Sequence, residues 1–343
     1  MGQARAELTA RRFCLLLGVF CAGALAVGAA CVFFGPVEVS FQRVLAILSG
    51  GRSANSVEID IVLNQRLPRV ILASMAGGGL AVAGAVFQAL LRNPLATPHT
   101  LGVSAGGAVG AVVAISLGTT HVRLGAVSSV QLFALVGSFA VVALIYLLAR
   151  RREQFSTLKL LLAGVTVALI CSAAIMFIRY LSDPNKLVIL DRWLMGGLET
   201  IGFNSVAAVI PLFLPALVLL LCQASSLNQL SFGEELAAGR GIDVARVQAV
   251  SFLGASVLTA SVVSVAGPIG FVGLIVPHVL RLILGPDHRV LLFAAFFGGG
   301  AFLAVADTFA RTVIAPSELP VGVLTALMGG PFFLLLLIRK AKM

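Results

Sequence analysis

Residues 70–117 read VILASMAGGGLAVAGAVFQALLRNPLATPHTLGVSAGGAVGAVVAISL. No charged side chain occurs from Val70 to Leu91, and a second uncharged run extends from Leu101 to Leu117. A helix needs roughly 20 apolar residues to cross the ~30 Å hydrocarbon core of a bilayer. The first run meets that length and the second falls just short of it. Between them, Arg92-Asn93-Pro94-Leu95-Ala96-Thr97-Pro98 supplies a charge, two prolines and small polar side chains, which end one helix before the next begins. The stretch reads as two membrane spans joined by a tight polar break.

The remainder of the 343 residues repeats the pattern. Hydrophobic residues make up 59% and charged residues only 11%, against about 25% charged in ordinary soluble domains. A soluble enzyme, a secreted disulfide domain and a disordered chain are all excluded. Windows of about 19 residues give ten spans: Phe13–Phe34, Val70–Leu91, Leu101–Leu117, Ser128–Ala149, Leu160–Ile178, Asn204–Cys222, Val247–Val265, Ile269–Leu284, Val290–Ala306 and Val321–Ile338. The expectation is an all-α polytopic membrane protein, with residues 1–343 forming a single transmembrane domain. The first run follows Arg11 and Arg12 and exceeds the about 7–15 residues of a signal-peptide core, so it reads as a retained helix.

Net charge is +10, from 24 basic and 14 acidic residues. With ten spans and the N-terminus inside, 15 of the basic residues lie on the inner side and 9 on the outer. That excess predicts both termini in the cytoplasm. Nucleic-acid binding is not expected, because no basic stripe interleaved with aromatics is present.

Three linkers have readable structure. In the outer loop, residues 35–65, Ser40 can cap an interfacial helix with Phe41, Val44, Leu45 and Leu48 on one face. After the fifth span, Asp183-Pro184-Asn185 reads as a turn, followed by an apolar segment that ends near Trp193. In the cytoplasmic linker, residues 223–246, Ser231 and Glu234 form an S-x-x-E capping box, which predicts a short helix from Phe232 that is stopped by Gly239 and Gly241. A docking element and a solvated connector fit that segment equally well. The 36 glycines include Gly77-Gly78-Gly79 and Gly298-Gly299-Gly300 inside spans, where small residues let helices approach closely.

No catalytic constellation is visible. His99, His121, His278 and His288 do not fall at metal-ligand spacing, and Cys14, Cys21, Cys31, Cys171 and Cys222 lie in apolar runs without a C-x-x-C. No phosphate-cradling G-x-x-x-x-G-K-[ST] occurs. The expectation is therefore no enzyme activity, no cofactor and no metal site. A proton-coupled secondary transporter is the alternative class, and the lack of a carboxylate pair within the spans weighs against it. Helix-breaking residues cluster at Gln88–Ser104 and at Gly267–His278. Irregular backbone at membrane depth is tolerated only inside protein or along a cavity, so both clusters are candidates for a pathway or gate.

Arg66-Leu67-Pro68-Arg69, Gln88 with Asn93-Pro94-Leu95-Ala96, and Leu101-Gly102-Val103-Ser104 resemble the iron-chelate and vitamin B12 uptake permeases, the FecCD-type membrane subunits of type II ABC importers. The likeness continues through Trp193 with Gly196-Gly197, Gly267–Arg281, Asp287-His288-Arg289, Asp307 with Arg311, and Glu318-Leu319-Pro320. The resemblance implies a homodimer in the bacterial inner membrane, with helices two to five and seven to ten forming an inverted repeat. It further implies two ABC ATPase subunits on the cytoplasmic side and a periplasmic or lipid-anchored substrate-binding protein outside. By the same resemblance, Asn93, Leu95, Ser156 and Thr157 line the cytoplasmic gate. Ser231, Phe232, Gly233, Glu234, Ala237, Ala238 and Gly241 belong to the ATPase-coupling segment. Arg66, Arg69 and Arg311 face outward to pair with carboxylates of the binding protein. The expected cargo is a ferric siderophore, on the frequency of such permeases, with cobalamin and haem as alternatives, moved by ATP-driven alternating access.

Overall fold

A computed structural model describes residues 10–50, 55–151, 154, 155 and 157–341. Its helices, in chain order, are α1 (Ala10–Phe33), α2 (Phe41–Leu48), α3 (Ser56–Asp60), α4 (Leu67–Leu90), α5 (Val103–Ser116), α6 (Ser129–Ala149), α7 (Thr157–Leu181) and α8 (Pro184–Leu194). They continue with α9 (Asn204–Cys222), α10 (Ala224–Ser231), α11 (Glu234–Gly239), α12 (Val244–Ala266), α13 (Val272–Leu284), α14 (His288–Thr312) and α15 (Val321–Ala341). The strands among the described residues form two antiparallel hairpins, Arg123–Leu124 with Val127–Ser128 and Arg150–Arg151 with Gln154–Phe155. Among the described residues, 7 helices are long and apolar enough to cross a membrane, and Val103–Ser116, Val272–Leu284 and Val321–Leu335 are shorter apolar helices. These are the ten runs read from the sequence. The chain is a polytopic helical membrane protein.

The helix contacts carry an internal symmetry. α4 packs on α14 and α13, α12 packs on α6 and α5, and α4 and α12 pack on each other. Exchanging α4–α7 for α12–α15, in order, maps this pattern onto itself, including α5 on α6 against α13 on α14. The two lead helices are five spans apart, so they run in opposite directions and the repeat is inverted. α5 and α13 occupy equivalent places and have 14 and 13 residues. At 1.5 Å per residue each is about 20 Å long, short of the ~30 Å core. Each is preceded by irregular backbone, residues 91–102 and 267–271.

Glycine explains how the helices come so close. In lipid no solvent drives helices together, so backbone proximity through small residues matters. A methyl group on Gly77 would lie 2.1 Å from the Gly299 carbonyl oxygen, and one on Gly84 1.9 Å from that of Gly273. α4 therefore meets α14 and α13 backbone to backbone.

Four local readings are corrected. The second span begins earlier than Val70, because Ser56–Leu90 is one helical run of 35 residues. Residues Ile61–Arg66 form a widened π turn within it. Pro68 is the cause: it lacks an N–H, and its ring crowds the carbonyl four residues back, that of Asn64. That carbonyl accepts the Gly202 N–H instead, at 2.7 Å. The ninth span does not stop at Ala306: α14 continues to Thr312 and carries Asp307 and Arg311 into the packed interior. The segment before Trp193 is helical, with Pro184 in the first turn of α8. Finally, α2 buries Val44 and Ile47, leaves Phe41, Leu45 and Leu48 exposed, and has no side-chain cap from Ser40.

Candidate functional site

The expected site residues divide between the two ends of the bundle. One end, called the α11 end, brings together residues 91–102 and the segment from α10 to α11. Residues 91–102 are irregular yet internally satisfied. Asn93 Oδ1 accepts the Leu95 N–H at 3.0 Å, and the Asn93 N–H donates to the Gln88 carbonyl at 3.2 Å. The Thr97 and Thr100 hydroxyls accept each other's backbone N–H at 3.1 and 3.2 Å. Such local bonds let non-helical backbone sit against packed helices. Gln88 is buried and donates to the Gly273 carbonyl at 3.2 Å, which joins this irregular stretch to the start of α13.

The segment from α10 to α11 differs from the reading of a capping box. Ser231 is the last residue of α10 and its hydroxyl donates back to the Asn228 carbonyl at 2.7 Å. Gly233, with φ +121, stands at the N-cap of α11, so that helix starts at Glu234 and not at Phe232. A backbone that opens only in glycine territory takes the cap position from Ser231. The Glu234 carboxylate, freed from capping, pairs with Arg92 at 3.2 Å, and the same Oε1 accepts from Gln248 Nε2 on α12 at 3.2 Å. Ala237 is fully buried, whereas Phe232 and Leu236 are each 59% exposed. The Arg240 guanidinium lies 5.6 Å from the Phe232 ring centre.

A second clamp fixes α10. Asn228 Nδ2 donates to Asp287 Oδ1 at 2.7 Å, while Asn228 Oδ1 accepts the His288 N–H at 2.8 Å. Asp287 caps α14 and receives the Arg289 backbone and side-chain donors. Burial raises its pKa, but the bonds from Arg289 and Asn228 outweigh that and hold it at about 2. Of the expected gate residues, Asn93 and Leu95 lie in the loop beside Arg92, Thr157 opens α7, and Ser156 lies outside the described residues. Ala238 and Gly241 are exposed, and Gly241 (φ +80) ends α11.

The opposite end, called the α8 end, holds the three expected docking arginines, and their side chains are buried or nearly so. Arg66 is 2% exposed and donates to the carbonyls of Val32 and Phe33 at 3.2 and 3.0 Å, and to that of Val37. Arg311 is also 2% exposed and donates to the Cys31 carbonyl at 2.8 Å. The last carbonyls of α1 have no partners within that helix, and they draw both guanidiniums inward. Arg69 grips Asp307 through Nε at 2.9 Å and Nη2 at 2.9 Å, and reaches Glu318 at 2.7 Å. Arg311 stands 3.9 Å from Asp307, so the i, i+4 pair is displaced by Arg69. Arg66, Arg69, Arg311 and Glu318 line a cavity of about 590 Å³, together with Arg123, Arg192 and Glu199. Among the described residues, no group of three or more His, Cys, Asp or Glu could hold a metal.

Arg92, Gln248, Asn228 and Asp287 were not assigned roles from the sequence. Arg92 and Asp287 stand inside the quoted motifs, but nothing in spacing tells that their partners are Glu234 and Asn228.

Paired interrupted spans inside an inverted repeat define a membrane transport subunit. A model of the FecCD transport family matches residues 23–339, and the chain belongs to that family. The hemin transport system permease HmuU of Yersinia pestis is 40% identical over 308 residues, 90% of each chain. The cobalamin import system permease BtuC of Halobacterium salinarum is 44% identical over 277 residues, 81% of this chain and 73% of its own. A solved inward-facing structure of a metal-chelate type ABC transporter superposes with TM-score 0.80 at 30% identity, covering 95% of this chain and 99% of that one. The chain is accordingly an ABC importer permease, a transport subunit whose ATPase is a separate chain.

Proposed function

We propose that two copies of this chain form the path by which an importer in the bacterial inner membrane carries a metal chelate into the cytoplasm. In this reading the α11 end and both termini face the cytoplasm and the ATPases. The α8 end faces a periplasmic or lipid-anchored binding protein. The observation that carries the reading is the exposed pair Phe232 and Leu236 on a compact helical segment outside the spans. Large apolar side chains exposed away from lipid belong in a protein interface. Here that interface would be a groove on the ATPase, with Glu234, Ala237, Ala238 and Gly241 shaping the segment.

Asn93, Leu95, Ser156 and Thr157 would form the cytoplasmic gate, with the interrupted helices α5 and α13 beside it. At the α8 end, Arg66, Arg69 and Arg311 serve as the frame of the mouth. Arg123 and Arg192, which line the same cavity, would meet carboxylates of a binding protein, Arg192 by exchanging its Glu199 partner. ATP binding would close the ATPases, and α11 would transmit that motion to the gate. No covalent chemistry falls to this chain.

The hemin and cobalamin carried by the named relatives favour a metal tetrapyrrole, ahead of a ferric siderophore. The test is uptake into proteoliposomes holding this chain, its ATPase and its binding protein. Hemin, cobalamin and a ferric siderophore are supplied separately, with and without internal ATP. Accumulation of one chelate that needs both ATP and the binding protein supports the reading. Uptake driven by a proton gradient without ATP would sink it in favour of a proton-coupled carrier.

A further inference from the structure

We propose that the Glu234 carboxylate is a positioning group that joins α11 to both halves of the inverted repeat, so that displacement of α11 moves the 91–102 loop. The inference rests on α11 being the ATPase-facing helix. One oxygen, Glu234 Oε1, meets Arg92 Nη2 at 3.2 Å and Gln248 Nε2 at 3.2 Å. Arg92 stands at the exit of α4, and Gln248 lies on α12. These helices lead the two repeat halves. A single atom of a six-residue helix thus touches the loop that leaves the first lead helix and the second lead helix itself.

The surroundings suit transmission. α11 lies between Gly233 and Gly241, both at positive φ, +121 and +80, so the backbone can pivot at either end with little steric resistance. Arg92 itself has φ +46, a left-handed backbone for a residue with a Cβ, and it turns the chain directly into Asn93-Pro94-Leu95. The side chain that holds Glu234 thus springs from the residue that opens the 91–102 loop. Gln248 is only 3% exposed, which fixes the other side of the carboxylate against a packed helix. Arg92 and Glu234 are 43% and 44% exposed. An ion pair in that setting adds little to stability. Its geometry, three elements on one oxygen, is what it contributes.

The experiment uses the whole importer complex, in a variant whose native cysteines are replaced and which carries Leu95→Cys as a reporter. Maleimide labelling of that cysteine is measured without nucleotide and after trapping with ATP and vanadate. ATP hydrolysis and ATPase co-purification are followed in parallel. In the parent, the labelling rate should change with nucleotide. In Arg92→Gln, which lies outside the ATPase-facing segment, the ATPases should remain bound and active, and Glu234→Gln is read by labelling per bound ATPase. The nucleotide-dependent change in labelling should fall by about two- to fivefold, the range an ion pair this exposed can supply. The exchanged pair Arg92→Glu with Glu234→Arg should restore most of it, which a loss of folding would not allow. A nucleotide-dependent change that persists in both single variants would overturn the proposal, as would a parent that shows none. Leu236→Asp separates the two levels. If it leaves the ATPases bound, the reading of α11 as their contact is wrong. If it releases them while Glu234→Gln retains full coupling, only the positioning role is wrong.

Discussion

The two ends of the bundle hold their charges in opposite ways. At the α8 end, Asp307 is 1% exposed and is gripped by Arg69, which is 12% exposed and also holds Glu318. At the α11 end, Arg92 and Glu234 meet half in solvent. A buried ion pair is costly to break, because either partner left alone is an uncompensated charge. An exposed one adds little to stability. The contrast teaches where a permease of this build keeps its shape and where it can move. The α8 end is locked to α1, α4 and α14, whereas the α11 end joins α11 to the 91–102 loop without locking either to the bundle.

Breaking the buried network should have the largest effect. Arg69→Ala leaves Asp307 and Glu318 without their shared partner, and it should cost about 3–5 kcal/mol of stability. A thermal unfolding scan of the solubilised protein checks this, and a midpoint equal to the parent's would erase the contrast between the ends. Next comes the clamp on α10. Asn228→Ala removes bonds to Asp287 and to the start of α14, at a cost of about 1–3 kcal/mol. Faster amide exchange should appear in α10 and at the head of α14, with none near Arg69.

The clamp should also respond to pH in a definite direction. The Asp287 pKa of about 2 in the fold lies below its ordinary 3.8. A depressed carboxylate pKa gives stability that is fully present above the unfolded value and lost as pH falls through the folded one. Protection of α10 should therefore persist down to about pH 4 and disappear toward pH 2. In Asn228→Ala the α10 protection no longer follows Asp287, and the Asp287 cap at the head of α14 should be lost at a higher pH, because one of the bonds that lowers the pKa is gone. Amide exchange across an acid series reads both. The smallest effect on stability belongs to Arg92→Gln, below about 1 kcal/mol. An unfolding midpoint lowered as far as in Arg69→Ala would show that the α11 end is as rigid as the other.

The spans were legible because charge-free runs of membrane length are a composition signal. The short fifth and thirteenth helices were legible from the prolines and glycines that precede them. Asp307 and Arg311 were placed outside their span because a hydropathy window treats each charge alone, whereas Arg69 and the Cys31 carbonyl satisfy them from distant helices. The same blindness hid the burial of Arg66 and Arg311: the unpaired carbonyls at the end of α1 cannot be seen from the arginines' own sequence neighbourhood. The capping box failed on one residue, since Gly233 offered a backbone that Ser231 could not match. The 91–102 loop and the short helix after Gly233 were legible as breaks between helices, but the Arg92–Glu234 contact spans more than a hundred residues and no local period encodes it.

Hydrogen–deuterium exchange on the complete importer, without nucleotide and after trapping with ATP and vanadate, tests the central contrast most directly. The account predicts that Glu234–Gly239 and residues 91–102 change protection together, while the amides around Arg69, Asp307 and Arg311 stay as they were. A change confined to the amides around Arg69 and Asp307, with α11 and the 91–102 loop unaltered, would contradict it.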